Sequence, residues 1–212
     1  MSIDKTLNEL FDAERAAAAA EEKLLSAKPK ELVPLLVASV DAAFALRDGD
    51  EATLRLRRLA MLLGEIEGQE TADALVRVLS AEDPGVRQIA GEELEERAYD
   101  RYAEFARAVD RALDRGTEIN ALLELPYIIA QVGEPSALLL LRRFLAHADA
   151  EVVAEAIGAL VELGDPEAVR GLKNYVGDQR AVSIADEGDE DAQATIGELA
   201  RDAIEALERL ED

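Results

Sequence analysis

The single histidine is the first residue of this sequence whose type could do chemistry. His147 follows the run LLLLRRFLA at 138–146, and the chain contains no second histidine and no cysteine. A transition-metal site needs several nitrogen or sulfur ligands, so one histidine does not make one. We predict that His147 ends a helix and complements its dipole. We predict no metal and no cofactor.

A run of acids, DEGDED at 186–191, has the residue types that bind calcium. If Glu187 is the first ligand of an EF-hand loop, Ala192 falls at the sixth position, where the sharp turn needs glycine. We therefore interpret 178–191 as a solvated acidic loop before a helix. The sequence also lacks a nucleophile–base pair and a phosphate-binding glycine loop. We predict that the protein is not an enzyme.

The net charge narrows the choice of partner. The 212 residues carry 46 Asp and Glu against 23 Lys and Arg, which gives a net charge of −23. Phosphate backbones repel such a chain, so we expect no nucleic-acid partner. The acidity suits either a basic protein partner or a salt-rich cytoplasm. No stretch reaches the ~18 apolar residues of a membrane span, and we expect a cytoplasmic protein without a membrane segment. Monomer and homodimer both remain open.

Apolar residues recur at intervals of three and four, which is the helical period. In VAEAIGALVELG at 153–164, for example, Val153, Ile157 and Leu160 share one face. Alternating β-branched runs are missing, so we predict an all-α fold. The predicted helices lie near 3–26, 29–47, 50–66, 69–80, 84–98, 100–115, 118–132, 135–147, 150–163, 166–177 and 192–210.

These helices repeat in pairs. The ends of alternate helices lie 34, 35 and 31 residues apart, about the length of one helical hairpin. These ends are Gly64, Ala98, Gly133 and Gly164. We predict an α-α superhelix of about five hairpins in a single domain, 1–212, with a divergent hairpin at 1–49 and regular repeats at 50–177. A cap helix at 192–212 would cover one end, and the alanine-rich first helix would cover the other.

The joints between helices share a pattern. Gly64, Gly133 and Gly164 are expected to end helices in the left-handed conformation. Acid-proline pairs follow, and each would start a helix with the acid as N-cap and the proline at the first position. These pairs are Asp83-Pro84, Glu134-Pro135 and Asp165-Pro166.

The segments AEDPGVRQIAGEEL at 81–94 and LGDPEA at 163–168 resemble HEAT repeats, in particular the short bacterial and archaeal type found in phycobilin lyase subunits. The resemblance implies a solenoid in which the second helix of each hairpin lines the concave surface. It also implies that Asp83 and Arg87 link neighbouring repeats. HEAT enzymes with a di-iron centre use histidine–glutamate pairs, and this chain has none.

The second helices carry a column of basic residues. Arg77, Arg111 and Arg143 occupy equivalent positions, with Arg142 and Lys173 in the adjacent column. We predict that they bind an acidic or phosphorylated segment of a partner protein. The alternative is that they pair with carboxylates of neighbouring repeats. The predicted partner-binding residues are Arg77, Arg111, Arg142, Arg143, Arg170, Lys173, Tyr99 and Tyr102.

Taken together, the sequence predicts a non-catalytic scaffold or adaptor that binds a protein along its curved face. Two alternatives stay open. One is an acidic inhibitor or immunity-type protein that masks a basic partner, and the other is an accessory subunit of an enzyme complex. A basic groove would favour the adaptor, whereas an acidic concave face would favour the inhibitor.

Overall fold

A computed structural model describes residues 2–116, 119–183 and 192–210, and within them the chain is almost entirely helical. The helices are α1 Ile3–Leu25, α2 Pro29–Phe44, α3 Gly49–Gly64, α4 Gln69–Val78, α5 Pro84–Arg115, α6 Ile119–Val132, α7 Ala137–Leu145, α8 Ala150–Leu163, α9 Ala168–Leu172 and α10 Ile196–Glu208. Two short strands, β1 Ala181–Ser183 and β2 Gln193–Thr195, complete the described elements.

The helices form two layers. In the first layer α3, the N-terminal part of α5, α6, α8 and α10 pack in succession, and in the second layer α2, α4, the C-terminal part of α5 and α7 do so. From α3 to α7, each hairpin places one helix in each layer, and the apolar faces of the two layers form one continuous core. The predicted all-α superhelix of stacked hairpins is therefore confirmed.

The C-terminal helix closes one end of this stack, as predicted. α10 packs on α8 and α9. It buries Ile196, Ala200, Ala203 and Leu207, while its other face stays exposed. Thr195 and Glu198 form a capping box, so two backbone N–H groups at the start of the helix are satisfied. Glu198, which the calcium hypothesis would need as a ligand, therefore has a structural role.

The two helices of the second hairpin meet at a kink and not at a loop. A break was expected near residue 99, and the structure places it at Arg101, whose φ of −142° and ψ of 50° are non-helical, so the 32 residues of α5 comprise two helices that meet there. The kink lies beside the joint between α3 and α4. There Arg101 pairs with Glu67 and with Glu104, the latter at 3.2 Å, and the Gly68 N–H donates to Glu104. The chain thus changes layers without a loop.

For two of the three acid-proline pairs, the predicted first residue of the following helix was wrong by two residues. Asp83 is the N-cap of α5 as expected, and its carboxylate accepts from the Val86 N–H at 2.9 Å. α7 and α9, however, begin at Ala137 and Ala168, after Pro135 and Pro166. These prolines lie in tight turns, closed by hydrogen bonds from the Ala137 N–H to the Glu134 carbonyl and from Ala168 to Asp165.

The conformation predicted for Gly64 was also wrong, whereas Gly133 and Gly164 are left-handed, with φ of 61° and 66°. In the joint between α3 and α4 the positive φ falls on Gly68, at 129°. At Gly64 a Cβ would lie 1.7 Å from a carboxylate oxygen of Glu93, so a larger residue there would displace that flexible side chain.

Strands β1 and β2 were not predicted. They pair antiparallel with Val182 opposite Ala194, and Val182 is buried. Three residues are too few for an alternating pattern to be recognised. Of the predicted acidic loop at 178–191, residues 184–191 fall outside the described residues, and they include Glu187, the first ligand in the calcium hypothesis.

The expectation that the first helix caps the other end was wrong. None of the residues of α1, all of which the structure describes, is buried. Ile3, Leu7, Leu10 and Phe11 are all exposed, Ile3 at 89%. An ion pair of 3.5 Å joins Glu14 to Arg58 on α3, but the apolar stripe of α1 covers nothing in the described chain.

Candidate protein-binding groove

The arginine column of the second layer is largely paired across repeats. Arg111 on α5 donates two hydrogen bonds to Asp73 on α4, at 3.1 and 2.7 Å. Arg143 on α7 pairs with Asp110 and Asp114 on α5. Each arginine thus reaches acids on the preceding second helix, which is the pairing alternative raised above. The pairs lie at the surface, and such pairs stabilise by about 0–1 kcal/mol each.

Arg77 is the residue on which the cavities of the second layer converge. Its guanidinium lies over the Phe44 ring at 4.5 Å, a cation–π contact that orients it. It lines three adjoining cavities of about 800, 260 and 640 Å³. The first lies among the ends of α2, α3, α4 and α5. The second lies between α4 and α5, and the third between α2 and α4.

The third cavity has the composition of a binding groove. Its floor and walls include an apolar set, namely Pro34, Val37, Ala38, Val40 and Ala74. Its rim carries Asp41, Glu70, Asp73, Arg77 and Arg115. An apolar groove with a few polar groups at its edge is the usual form of a site for a protein segment. We refer to these ten residues as the α2–α4 groove.

Arg115 was missed by the sequence analysis. It is exposed at the end of α5, and among the described residues it has no ion-pair partner. It lines both the α2–α4 groove and the cavity between α4 and α5, where it adjoins Arg111 and Arg77. That smaller cavity has three arginines and one carboxylate, Asp73, so it is locally basic in an acidic protein. In the sequence, Arg115 lies four residues after Arg111 and therefore on the same helix face, and this spacing could have identified it as part of the basic column.

The other predicted basic residues lie further along the stack. The Arg142 guanidinium donates to the Glu167 carbonyl at 3.0 Å and so links α7 to the start of α9. Arg170 on α9 and Lys173 just after it are exposed. None of the three lines the cavities described here. The structure therefore does not bring Arg142, Arg170 and Lys173 together with Arg77.

The two tyrosines differ in exposure. Tyr99 is 57% exposed, and its hydroxyl donates to the Gln131 carbonyl at 3.1 Å. Tyr102 is half-buried and packs against Phe105 with ring centroids 6.0 Å apart. Burial raises the pKa of the Tyr102 hydroxyl. Of the two, only Tyr99 presents most of its ring to a partner.

Other arginines have structural roles at the joints. Asp83 pairs with Arg57 on α3 at 3.1 Å, and Arg87 pairs with Glu124 on α6 at 3.1 Å, so the predicted links between neighbouring repeats are confirmed. Arg87 also donates to the carbonyls that precede α5. Arg180 does the same for the joint after α7, where it donates to the carbonyls of His147 and Ala148.

Arg97 is the most deeply buried of these joint residues, with 6% of its surface exposed. Its Nη2 donates to the carbonyls of Leu63 and Ile66 at 2.9 and 2.8 Å, which satisfies the C-terminal end of α3. Its Nη1 lies 3.5 Å from Glu104. Arg97 thus holds the joint between α3 and α4, a role that was not predicted from the sequence.

His147 lies two residues beyond the end of α7, not within its last turn. Its Nδ1 accepts a hydrogen bond from the Asp149 N–H at 3.1 Å. Within the described part of the chain, no group of three or more potential ligand side chains is arranged to hold a metal ion. No helix there has the length and apolarity that crossing a membrane requires.

Two carboxylates of the first layer have raised pKa values. Burial raises the pKa of Glu93 on α5, and the neighbouring Glu96 and Glu65 raise it further. Burial likewise raises the pKa of Glu155 on α8, with Glu151 adding to the effect. A raised folded-state pKa means that the folded state binds protons more tightly than the unfolded state does. The stability linked to these groups is therefore lost as the pH rises through their folded-state pKa values.

We expect the protein to become more stable when the pH falls from neutral toward the ordinary glutamate pKa of 4.5. Below that, Asp83 and Asp178, whose pKa values their arginine partners lower, lose their contribution as they are protonated. The melting temperature, followed by circular dichroism, should rise by a few degrees and then fall.

The double variant Glu93→Gln/Glu155→Gln should be more stable at neutral pH and should show a smaller rise on acidification. Glu208→Gln, which removes one exposed charge, controls for the general relief of repulsion. An unchanged rise in the double variant would contradict the assignment to these two residues.

Part of the chain matches a known family of repeats. A family model described as HEAT repeats matches residues 111–185, and the resemblance to HEAT repeats is confirmed there. A solved crystal structure, described as that of an engineered protein, is similar at 16% identity. The match covers 93% of this chain and 91% of that one, with a TM-score of 0.38. No curated protein matches the sequence.

Proposed function

Because residues 111–185 are HEAT repeats, which generally mediate protein–protein interaction, we propose that this protein is a non-catalytic adaptor. It binds a segment of a partner protein along the second-helix layer. The main support for the proposal is that Arg77, which Phe44 holds in place, lines three adjoining cavities. A continuous surface thereby extends from α2 to the start of α6.

The chemistry of the surface defines the segment. Apolar side chains of the partner fill the α2–α4 groove, where the floor residues Val40 and Ala74 are rigid parts of the core. An anionic group, either carboxylate or phosphate, lies beside Arg111 and Arg115 in the smaller cavity. Arg143, Arg142, Arg170, Lys173 and Tyr99 would be reached only by a longer segment that continues toward α9.

The test uses the full-length protein as bait in an extract of its native host, with captured proteins identified by mass spectrometry. Arg115→Glu and Ala38→Glu change exposed residues of the groove, so both variants should fold. Each variant should weaken capture of the specific partner roughly tenfold or more. Arg115→Glu would repel the anionic group of the partner, and Ala38→Glu would fill the groove in which the partner's apolar side chains bind. Arg209→Glu makes the same charge change on the exposed end of the chain and should leave capture unchanged.

Two results would overturn this proposal. One is that Arg115→Glu and Ala38→Glu both still capture the partner. The other is that the partner is a basic protein whose capture is lost in Glu92→Gln/Glu96→Gln, a variant that changes only exposed acids of the first layer. That result would indicate that the protein masks a basic partner.

A further inference from the structure

The kink inside α5 is built from residues that favour a helix. Residues 92–115 contain no glycine, proline, asparagine, serine or threonine. Asp100, whose type can cap a helix, makes no capping hydrogen bond with the described residues. The joints after α3 and α6, by contrast, each contain a glycine with positive φ, Gly68 and Gly133. The chain therefore turns within α5 against its local sequence preference.

Little holds the kink at Arg101 itself. The Arg101 guanidinium pairs with Glu67 and, at 3.2 Å, with Glu104. The side chains of Arg101 and Glu67 are 38% and 71% exposed, and ion pairs at such exposure stabilise little. Because Arg101 is the one non-helical residue of α5, a change in its two torsion angles would make α5 a single straight helix about 48 Å long.

The kinked form is held instead by contacts between the part of the chain before Arg101 and the part after it. Arg111 donates two hydrogen bonds to Asp73 on α4, at 3.1 and 2.7 Å. Arg87 donates to Glu124 on α6 at 3.1 Å. In each pair, one residue precedes Arg101 and the other follows it. A second copy of the chain can therefore supply either partner in the same geometry.

We propose that Arg101 is a hinge, and that two copies of this chain exchange the parts on either side of it. In the resulting dimer each α5 is one straight helix, and the two α5 helices lie antiparallel about a two-fold axis. The part of one copy before Arg101 packs on the part of the other copy after it. The contacts between the two parts are kept, and the torsion angles of Arg101 change.

The exchange also changes which chain builds the cavity between α4 and α5. Asp73 and Arg77 would come from one copy, and Arg111 and Arg115 would come from the other. Each dimer would carry two such cavities, so it could bind two partner segments at once. The hinge itself does not depend on what the cavity binds.

The first test is the mass of the full-length protein after refolding. Exchange requires the contacts of α5 with α4 and α6 to break, so we expect it on refolding from urea and not in the folded monomer. Light scattering should give 22.9 kDa after refolding at low concentration and twice that mass after refolding at high concentration. A monomer mass after refolding at every concentration would overturn the proposal.

The second test compares two residues at the hinge. Arg101→Ala and Arg101→Gly remove the same ion pairs, but alanine favours a straight helix more than glycine does. Because each dimer contains two hinges, the dimerisation constant should be about 30-fold larger for Arg101→Ala. Ala103→Gly is the control, since Ala103 is exposed and helical in both forms, and it should leave the constant unchanged. Equal constants for the two Arg101 variants would contradict a hinge at this residue.

The third test measures whether α5 straightens. The chain has no native cysteine, so Gln88→Cys and Asp114→Cys, at exposed positions of α5, can carry spin labels. The dimer is formed with an excess of unlabelled chain, so that the distance within one chain is measured. In a straight helix the two labelled positions lie about 39 Å apart, whereas the kink brings them closer together. A dimer that keeps the distance found in the monomer would rule out the exchange.

Discussion

Replacing Arg97 by alanine should lower the free energy of unfolding by about 3–5 kcal/mol, the range for removing one partner of a buried ion pair. The variant removes the Arg97 donor from the Leu63 and Ile66 carbonyls, which keep their bonds from the Ile66 N–H and the Thr71 hydroxyl. Glu104, whose side chain is only 18% exposed, would lose one of its two arginines. The measurement is urea denaturation of the full-length protein, followed by circular dichroism.

Two further variants make the Arg97 experiment specific. Arg97→Lys keeps the charge but loses the planar fork that reaches several carbonyls at once, so it should recover only part of the stability. Arg107→Ala is the matched control, because Arg107 lies on the same helix and donates to Gln69 at the same joint but is exposed. It should cost less than about 1 kcal/mol. Equal losses for Arg97→Ala and Arg107→Ala would show that burial of the guanidinium is not what matters.

Gly197→Val should destabilise the protein by about 2–3 kcal/mol through overpacking. A Cβ at Gly197 would lie 2.7 Å from the Val176 carbonyl oxygen and 2.9 Å from that of Asp178. Both are backbone atoms, so the cap helix α10 must move away from the stack. The hydrogen bond from the Gly197 N–H to the Asp178 carbonyl, now 2.9 Å, would be lost with that movement.

The control for this prediction is the nearby glycine. A Cβ at Gly177 would meet nothing within 4 Å, so Gly177→Ala should leave the melting temperature almost unchanged. If Gly197→Val melted like the unmodified protein, α10 would not be held to the stack through this contact.

The helices and the joints between them could be predicted, because helical periodicity and the capping of helix ends depend on residues that are close in sequence. The Asp83-Pro84 start, the left-handed Gly133 and Gly164 and the cap helix all follow from residues close in sequence. The errors arose where distant residues decide the outcome. The kink that replaces a loop within α5 lies where Arg101 contacts the joint between α3 and α4, and the local pattern around residue 99 does not contain these contacts.

The candidate site was less predictable for a related reason. Alignment of the repeats brought Arg77, Arg111 and Arg143 into one column, but it could not show that Arg111 and Arg143 would pair with acids of the preceding helix. Nor could it reveal the α2–α4 groove, whose shape depends on the distance between helices of successive hairpins. The role of Arg97 at the joint was not predicted, because buried positions are expected to be apolar.

The kinked α5 has a consequence for how the protein unfolds. In a solenoid each repeat interacts with its neighbours only, so unfolding can proceed unit by unit from an end. Here the chain passes from one layer to the other at the kink in α5, and residues on both sides of the kink hold the joint of the preceding hairpin. We therefore expect α3, α4 and α5 to unfold together. α1, none of whose residues is buried, and the units toward α9 and α10, which are connected by turns, should open first.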